Sequence, residues 1–364
     1  VLAIPHNGNL ANGIMFPVER AYTGKQLDKE YVEARAKWER LYEATQTKGD
    51  GEAHPFLSPN DEFADFETWD KANLDASQAK TKEMLEFEYA RSALKNGLAL
   101  EAKLGTNPDK FGMIGSSDAH TGLAAMEEEN FFGKTYAQEP STERMFTKFM
   151  DNPKIGATIY DWEICSAGYA AVWAQENTRA SIWDAMHRRE TYATTGTRMA
   201  VRFFGGWDFE EADAASRNPA VVGYNKGVPM GADLLEHTEG NSPTFLVAAL
   251  KDPIGANLDR IQIVKGWLDA NGQPQEQVFN VVWGGDRQIG SDGKLPKVGS
   301  TVDVKNATWT NTIGATELIK VWKDPNFDAT QRAFYYARVL EIPTPRWTAY
   351  DAKRFGIEPP QGAR

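Results

Sequence analysis

The chain has 364 residues, 41% hydrophobic and 11% aromatic, which is enough for two domains with sizeable cores. It carries 40 Lys and Arg against 51 Asp and Glu, a formal charge of -11, which argues against a general nucleic-acid binder because that class needs a basic surface. The one cysteine, Cys165, excludes an internal disulfide and a cysteine-based zinc site, so a buried thiol is the favoured interpretation. No run is long and apolar enough to span a bilayer.

The first half of the chain alternates predicted strands and helices. In order, we predict a buried strand over 1–4, a helix over 30–42, a strand over 41–46, a helix over 78–104 and a short strand over 111–114. A polar loop from residue 48 to about residue 70 has the length of a functional or disordered loop. Strands that alternate with helices and end in polar loops are typical of a parallel α/β layer or barrel, whose sites lie at the C-terminal strand ends.

The second half has a different pattern. A helix over 178–189, with Thr178 as its cap, precedes a change to alternating, β-rich segments at about residue 199. The predicted strands there are 199–204, 244–250, 260–267, 277–283, 317–322 and 333–340. Several short strands punctuated by turns suggest an antiparallel β-sandwich. We therefore predict a first domain over 1–198 and a second over 199–364.

Two predicted strands end in residues that bind metals. Asp118 and His120 follow the apolar run at 111–114, and two residues spaced by two lie on one face of a strand. His6 follows the apolar run at 1–4, so in a parallel layer it would reach the same end of the sheet. Carboxylate and imidazole ligands suit Zn, Mn or Fe, and three ligands are the minimum for an open catalytic site. The alternative is an ordinary hydrogen-bonded loop pair.

Other polar residues near these strand ends are candidates for contacts with substrate. Asn7 and Asn9 flank His6 and could orient ligands or bind substrate, although capping of the loop is an equally good interpretation. In the polar loop, His54 could donate a proton, contact substrate or bind metal, and Glu52 could contact substrate.

A second group of candidates lies downstream. Ser166 and Arg179 could meet an anionic substrate, since Arg binds phosphate oxygens in bidentate fashion; the alternative is a structural turn and a first-turn helix residue. His187 is interpreted as a helix-end histidine, and His237 is assigned no function. The fingerprints of serine hydrolases, phosphate-binding loops and dinucleotide-binding folds are absent from the sequence.

The segment Gly115-Ser-Ser-Asp-Ala-His-Thr, together with Ala3-Ile-Pro-His6, resembles the late motifs of the PHP (polymerase and histidinol phosphatase) superfamily. Within it, the match resembles a bacterial branch catalogued as a domain of unknown function. Supporting stretches are 4–9, 48–55, 58–65, 173–179 and 191–196. The resemblance implies a distorted (β/α)7 barrel, a centre of two or three divalent metal ions, phosphoester hydrolysis, and His6, Asp118 and His120 as ligands. It also suggests a periplasmic location.

The chain departs from that pattern in one respect. PHP proteins open with a His-x-His motif and a later Asp-His pair, and both are missing here. We therefore expect this chain to be the C-terminal portion of the protein, with the site completed by an upstream segment; a degenerate, non-catalytic homologue is the alternative.

The expected function is that of a metal-dependent phosphoesterase acting on a small, anionic substrate, with metal-activated water as the nucleophile. Hydrolysis of another ester or amide by the same metal site is one alternative. A binding protein without activity is the other.

Overall fold

A computed structural model describes residues 1–166, 168–235 and 240–363, so His237 lies outside the described residues. The α-helices are α1 (Lys29–Trp38), α2 (Lys82–Leu85), α3 (Ala90–Leu104), α4 (Arg179–His187), α5 (Pro219–Lys226) and α6 (Trp347–Phe355). The strands are β1 (Leu41–Gln46), β2 (Gly49–Asp50), β3 (Gly112–Gly115), β4 (Lys148–Asn152), β5 (Ala157–Tyr160), β6 (Tyr169–Val172), β7 (Thr191–Thr194), β8 (Ala200–Gly206), β9 (Gly227–Pro229), β10 (Thr244–Leu250), β11 (Leu258–Leu268), β12 (Pro274–Trp283), β13 (Glu317–Lys323) and β14 (Ala333–Glu341).

The first sheet has the order β2-β1-β3 and places two C-terminal strand ends side by side. β1 and β3 are parallel, with Leu41 opposite Gly112 and Thr45 opposite Gly115. The crossover between them contains α3, which packs Ala90 and Ala93 against the same apolar cluster as Tyr42 of β1. Parallel strands require such a crossover, and it brings both strand ends to one edge.

A hairpin-like pair lies directly against β3. β6 and β7 are antiparallel, with Tyr169 opposite Thr194. A Cβ added to Gly115 of β3 would meet the Thr194 carbonyl oxygen at 2.7 Å and the Tyr169 carbonyl oxygen at 2.9 Å. Only glycine permits this approach, which fixes the end of β7 beside the end of β3.

The C-terminal part consists of two antiparallel sheets, ordered β13-β10-β8-β9 and β12-β11-β14. Their facing side chains form one apolar cluster, which includes Phe203 and Phe245 from the first sheet and Ile261 and Ile263 from the second. The Phe203 and Phe245 rings are stacked, with centroids 5.4 Å apart. Each such buried side chain contributes about 1.5–3 kcal/mol relative to exposure.

The predicted (β/α)7 barrel is wrong. Within the described part of the chain, parallel pairing links only β1 and β3, and the sheets are small and open, with three, four, three, two and two strands. About 21% of the residues are helical and 25% are in strands. The alternation of strand and helix stops after β3, because the chain continues through short 3-10 turns at Glu128–Asn130, Tyr136–Gln138 and Arg144–Phe146.

Most local elements agree with the sequence. β1, β3 and the six β-rich segments are confirmed as strands, and Thr178 caps α4 by accepting a hydrogen bond from the Ser181 amide. The helix predicted over 78–104 begins only at Ala90, because Glu88, just before it, is held by a hydrogen bond from the Gly13 amide at 2.8 Å. Residues 1–4 are not a buried strand, since Val1 is 92% exposed. The boundary at residue 198 stays a prediction.

The described helices include none that is long and apolar enough to cross a membrane.

Buried ion pairs join α3 to the C-terminal sheets. Arg91 of α3 donates to Asp61 at 2.8 Å, to Glu276 of β12 at 3.1 Å and to the Tyr336 hydroxyl of β14 at 2.8 Å. Its second partner in the polar loop is Glu52, at 2.5 Å. Burial alone would raise the pKa of Glu52, but the guanidinium groups of Arg338 and Arg91 lower it to about 2. We call these residues the Arg91 network.

Replacement of Arg91 should destabilise the whole chain. In Arg91→Met, the buried Asp61 carboxylate keeps Arg338 at 2.6 Å but loses Arg91, and Glu276 and Glu52 lose a guanidinium partner as well, which costs about 3–5 kcal/mol of the free energy of unfolding. Urea unfolding followed by circular dichroism measures the change. Arg332→Met is the matched control, because Arg332 pairs with Glu101 of α3 at 3.4 Å but is half exposed; its loss should stay within about 1 kcal/mol. Equal losses for the two variants would contradict a dominant role for the Arg91 network.

Candidate functional site

Charged side chains gather at the C-terminal ends of β1 and β3. We call Glu43, Lys48, Asp118, His120 and Lys134 the strand-end cluster. The parallel register produces it directly, because the pairing continues past β3 through a bond from the Ser116 amide to the Thr45 carbonyl at 3.0 Å. Such edges of parallel sheets are where α/β proteins commonly place ligands.

Asp118 and His120 form a hydrogen-bonded pair. His120 Nε2 lies 3.0 Å from Asp118 Oδ1, and the Lys134 ammonium pairs with the other carboxylate oxygen. The His120 amide also donates to the Lys134 carbonyl at 2.7 Å. The prediction that the two residues share one face of a strand is wrong, because β3 ends at Gly115 and Asp118 adopts a φ of 49°, which Asp tolerates better than most residues.

Glu43 anchors the loop that carries this pair. It is 8% exposed in the middle of β1, and its two carboxylate oxygens accept from Ser116 Oγ at 2.5 Å and from Gln46 Nε2 at 2.6 Å. The Ser116 carbonyl in turn accepts from the Gly168 amide at 3.1 Å. The buried Glu43 carboxylate thus fixes Ser116, the residue at the start of the loop that carries Asp118 and His120.

Lys48 lies in the turn between β1 and β2 and is 4% exposed. Its ammonium donates to Asn9 Oδ1 at 2.8 Å, while Asn9 Nδ2 donates to the Lys48 carbonyl at 3.0 Å. Burial lowers the pKa of Lys48 to about 8, against the attraction of nearby Glu43 and Asp118. Both polar atoms of the Asn9 side chain are therefore bonded to Lys48. Asn7 precedes the short 3-10 helix at Gly8–Leu10, and its carbonyl accepts from the Leu10 amide at 3.1 Å.

His6 lies on the other side of β1 from Asp118. The Pro5 carbonyl accepts from the Glu43 amide at 3.0 Å, and the His6 carbonyl accepts from Gln46 Nε2 at 3.3 Å. The segment before His6 therefore bonds to β1 through Glu43, whereas the Asp118 loop continues from β3 on the other edge of β1. The His6 ring is exposed, with Nδ1 3.4 Å from the Ile4 carbonyl.

The structure therefore does not assemble the three predicted metal ligands. Among the described residues, no group of three or more His, Cys, Asp or Glu side chains is arranged to hold a metal ion. The expectation of a recognisable metal-binding site is therefore wrong for the residues that the structure describes. Asp118 and His120 come together, and His6 does not join them.

The candidates in the polar loop have structural partners. His54 Nδ1 accepts from the Phe56 amide at 3.0 Å, so Nε2 carries the hydrogen that faces Asp70 Oδ2 at 3.1 Å. This bond lowers the pKa of Asp70. Glu52 belongs to the Arg91 network. Neither His54 nor Glu52 is part of the strand-end cluster.

The downstream candidates are also apart from each other. Ser166 is buried and donates to Glu128 at 2.8 Å. Arg179 is exposed in the first turn of α4, which begins beyond the far end of β6. His187 closes α4 with its ring stacked on Trp183 at 4.8 Å. Cys165 is buried, as predicted, and donates to Glu67 at 3.2 Å.

A large cavity adjoins the strand ends. Its volume is about 2250 Å³, and Thr45, Asp50 and the segment 194–197 line its near side. Much of the rest of its wall is apolar and belongs to the C-terminal sheets, and neither Asp118 nor His120 contributes to it. Size alone therefore does not mark it as a reactive site, and the strand-end cluster is the candidate site because it contains the Asp118–His120 pair.

Sequence reasoning missed three members of this cluster. Glu43 had a usable signal, since a carboxylate within a strand is buried only where it has partners. Lys48 stands inside one of the stretches that carry the resemblance, directly after β1. Lys134 had no usable signal in the sequence, because it lies 16 positions after Asp118 and the chain between them has no regular spacing.

Comparison with known proteins gives one match. The model of a family described as "Protein of unknown function (DUF3604)" matches residues 1–364. No curated protein matches the chain, and no solved structure does.

The close approach at Gly115 is testable. In Gly115→Ala, the new Cβ would collide with two carbonyl oxygens and with Thr45 Cγ2 at 2.9 Å, so β3 must separate from β6 and β7. We expect a loss of about 1–3 kcal/mol in the free energy of unfolding. Urea denaturation is the measurement, and Ala170→Ser, on an exposed position of β6, is the control. A Gly115→Ala variant as stable as the control would show that the strand end is not fixed by this contact.

Proposed function

We propose that this chain, which belongs to the DUF3604 family, is the downstream portion of a PHP-type hydrolase that cleaves phosphoesters. The observation that supports the proposal is the Asp118–His120 pair, held at the shared end of two parallel strands. The PHP assignment, the choice of phosphoesters and a periplasmic location rest on the resemblance of the sequence motifs. In that resemblance, further residues of the centre come from an upstream segment.

The residues of this chain can move a proton and bind negative charge. The side chain of His120 is 60% exposed, so a water molecule can reach it, and the bond to Asp118 orients the ring. Lys134 holds the Asp118 carboxylate in place. Together with Lys48, it places two ammonium groups close to the reacting centre, where positive charge stabilises a phosphoryl group during transfer.

The residues fit a divalent metal ion only in part. Asp118 and His120 offer the oxygen and nitrogen donors that Zn, Mn and Fe bind. When bound, such an ion lowers the pKa of a water molecule and supplies a hydroxide nucleophile. Two or three ions are proposed for the complete protein, and the described residues provide two neighbouring ligands rather than the three of an open site.

Turnover assays on the chain together with its natural upstream sequence test the proposal. A chromogenic phosphomonoester and a phosphodiester are offered with and without a chelator, and with Zn, Mn or Fe restored. We expect chelator-sensitive hydrolysis, and a fall in kcat of about a hundredfold or more in Asp118→Asn and in His120→Asn, because a positioned acid–base group contributes that much.

His187→Asn is the matched control and should keep its activity, since His187 stacks on Trp183 at the end of α4. Cleavage of a carboxylic ester or an amide but of no phosphoester would favour the other hydrolase function. If the protein binds no metal and turns over none of these substrates, the hydrolase proposal is wrong and a non-catalytic binding protein is favoured.

A further inference from the structure

The turn that carries Lys48 is rigid. The Thr47 carbonyl accepts from the Cys165 amide at 3.0 Å, and the Asp50 amide donates to the Glu67 carbonyl at 3.1 Å. Gly49 has a φ of 85°, and a Cβ there would lie 2.1 Å from the Glu67 carbonyl oxygen. The backbone of Lys48 is therefore fixed on both sides, and so is the origin of its side chain.

Lys48 differs from other buried lysines of this chain. Lys80 pairs with Glu88 at 2.6 Å, and Lys265 pairs with Asp324 at 2.7 Å. The Lys48 ammonium, in the part of the chain that the structure describes, has a single acceptor, the neutral amide oxygen of Asn9 at 2.8 Å. An ammonium has three hydrogens to donate, and burial without a counter-charge is costly.

The neighbouring carboxylates favour the charged form of Lys48 by through-space attraction, but none of them forms a direct ion pair with its ammonium. Asp118 is bonded to Lys134 and His120, and Glu43 is bonded to Ser116 and Gln46. Asp50 accepts from the Glu52 amide at 2.9 Å. Each of these acids acts on Lys48 only through space, so the ammonium has hydrogens that no acceptor among the described residues takes.

We infer that Lys48 is the residue that binds an anionic phosphoryl oxygen of the substrate at the strand-end cluster. The inference rests on the proposed function and deepens it, because it gives the site a specific recognition group for phosphate. Asn9 is then a positioning residue, which holds the ammonium through Oδ1 and the turn through Nδ2.

Binding of inorganic phosphate tests this role without requiring turnover. Calorimetric titration of the chain with its upstream sequence gives the dissociation constant for the wild type and for two variants, Lys48→Gln and Lys48→Met. Gln retains a donor for Asn9 but has no charge, whereas Met has neither. We expect both variants to bind phosphate about tenfold more weakly or worse, because a hydrogen bond from a charged donor is lost.

Lys265→Gln is the control, since it also removes a buried ammonium, and it should leave phosphate affinity unchanged even if stability falls. Unchanged phosphate affinity in Lys48→Gln would overturn the inference, because the bond to Asn9 would then be its whole role. If Lys48→Met does not fold, Lys48→Gln decides the question alone.

The two proposals can fail separately. Hydrolysis of phosphoesters by the wild type, with equal inhibition by phosphate in Lys48→Gln, would overturn the role of Lys48 alone. Phosphate binding that depends on Lys48, without hydrolysis of any phosphoester, would support Lys48 and overturn the hydrolase. A wild type that neither binds phosphate nor cleaves phosphoesters would overturn both.

Discussion

The parallel pairing of β1 with β3 is the constraint on which the candidate site depends. Its register places Glu43 opposite Ile114 and carries the pairing one residue beyond β3, from the Ser116 amide to the Thr45 carbonyl. Ser116 then reaches Glu43, and the loop that follows delivers Asp118 close to the turn after β1. A shift of this register by one residue would turn Glu43 away from the loop, since successive strand side chains point to opposite faces.

Buried charge has two different roles in this molecule. In the Arg91 network, the guanidinium donates to three carboxylates and a hydroxyl, so its hydrogen-bonding capacity is used within the protein. Such an arrangement specifies how α3 and the polar loop meet the C-terminal sheets, although an apolar contact of the same shape could be as stable. Breaking it is costly because the partners stay buried.

Local patterns predicted the elements, and long-range pairing decided the rest. The alternation of β-rich segments after residue 199 and the Thr178 cap depend on a few neighbouring residues, and both are confirmed. Closure of a barrel depends on contacts between distant strands, which the alternation of strands and helices does not encode. Asp118 and His120 were expected together through strand spacing; they meet instead through a loop in which Asp118 has a positive φ. His6 was expected to follow a buried strand over 1–4 and to reach the same sheet end as Asp118; residues 1–4 form no strand, and the segment before His6 bonds to β1 through the Pro5 carbonyl instead.

The strand-end cluster differs from the Arg91 network in what it leaves free. The Lys48 ammonium has one neutral acceptor, and the side chain of His120 is 60% exposed although Asp118 fixes its orientation. A network that only stabilised the fold would pair its buried ammonium directly, as Lys265 and Asp324 do at 2.7 Å. A buried ammonium without a direct ion pair lowers stability, so the proposed binding of an anionic ligand would give a reason for its presence in a rigid turn beside an oriented histidine. The same physical argument assigns the Arg91 network to the structure and supports the proposal that the strand-end cluster binds a ligand.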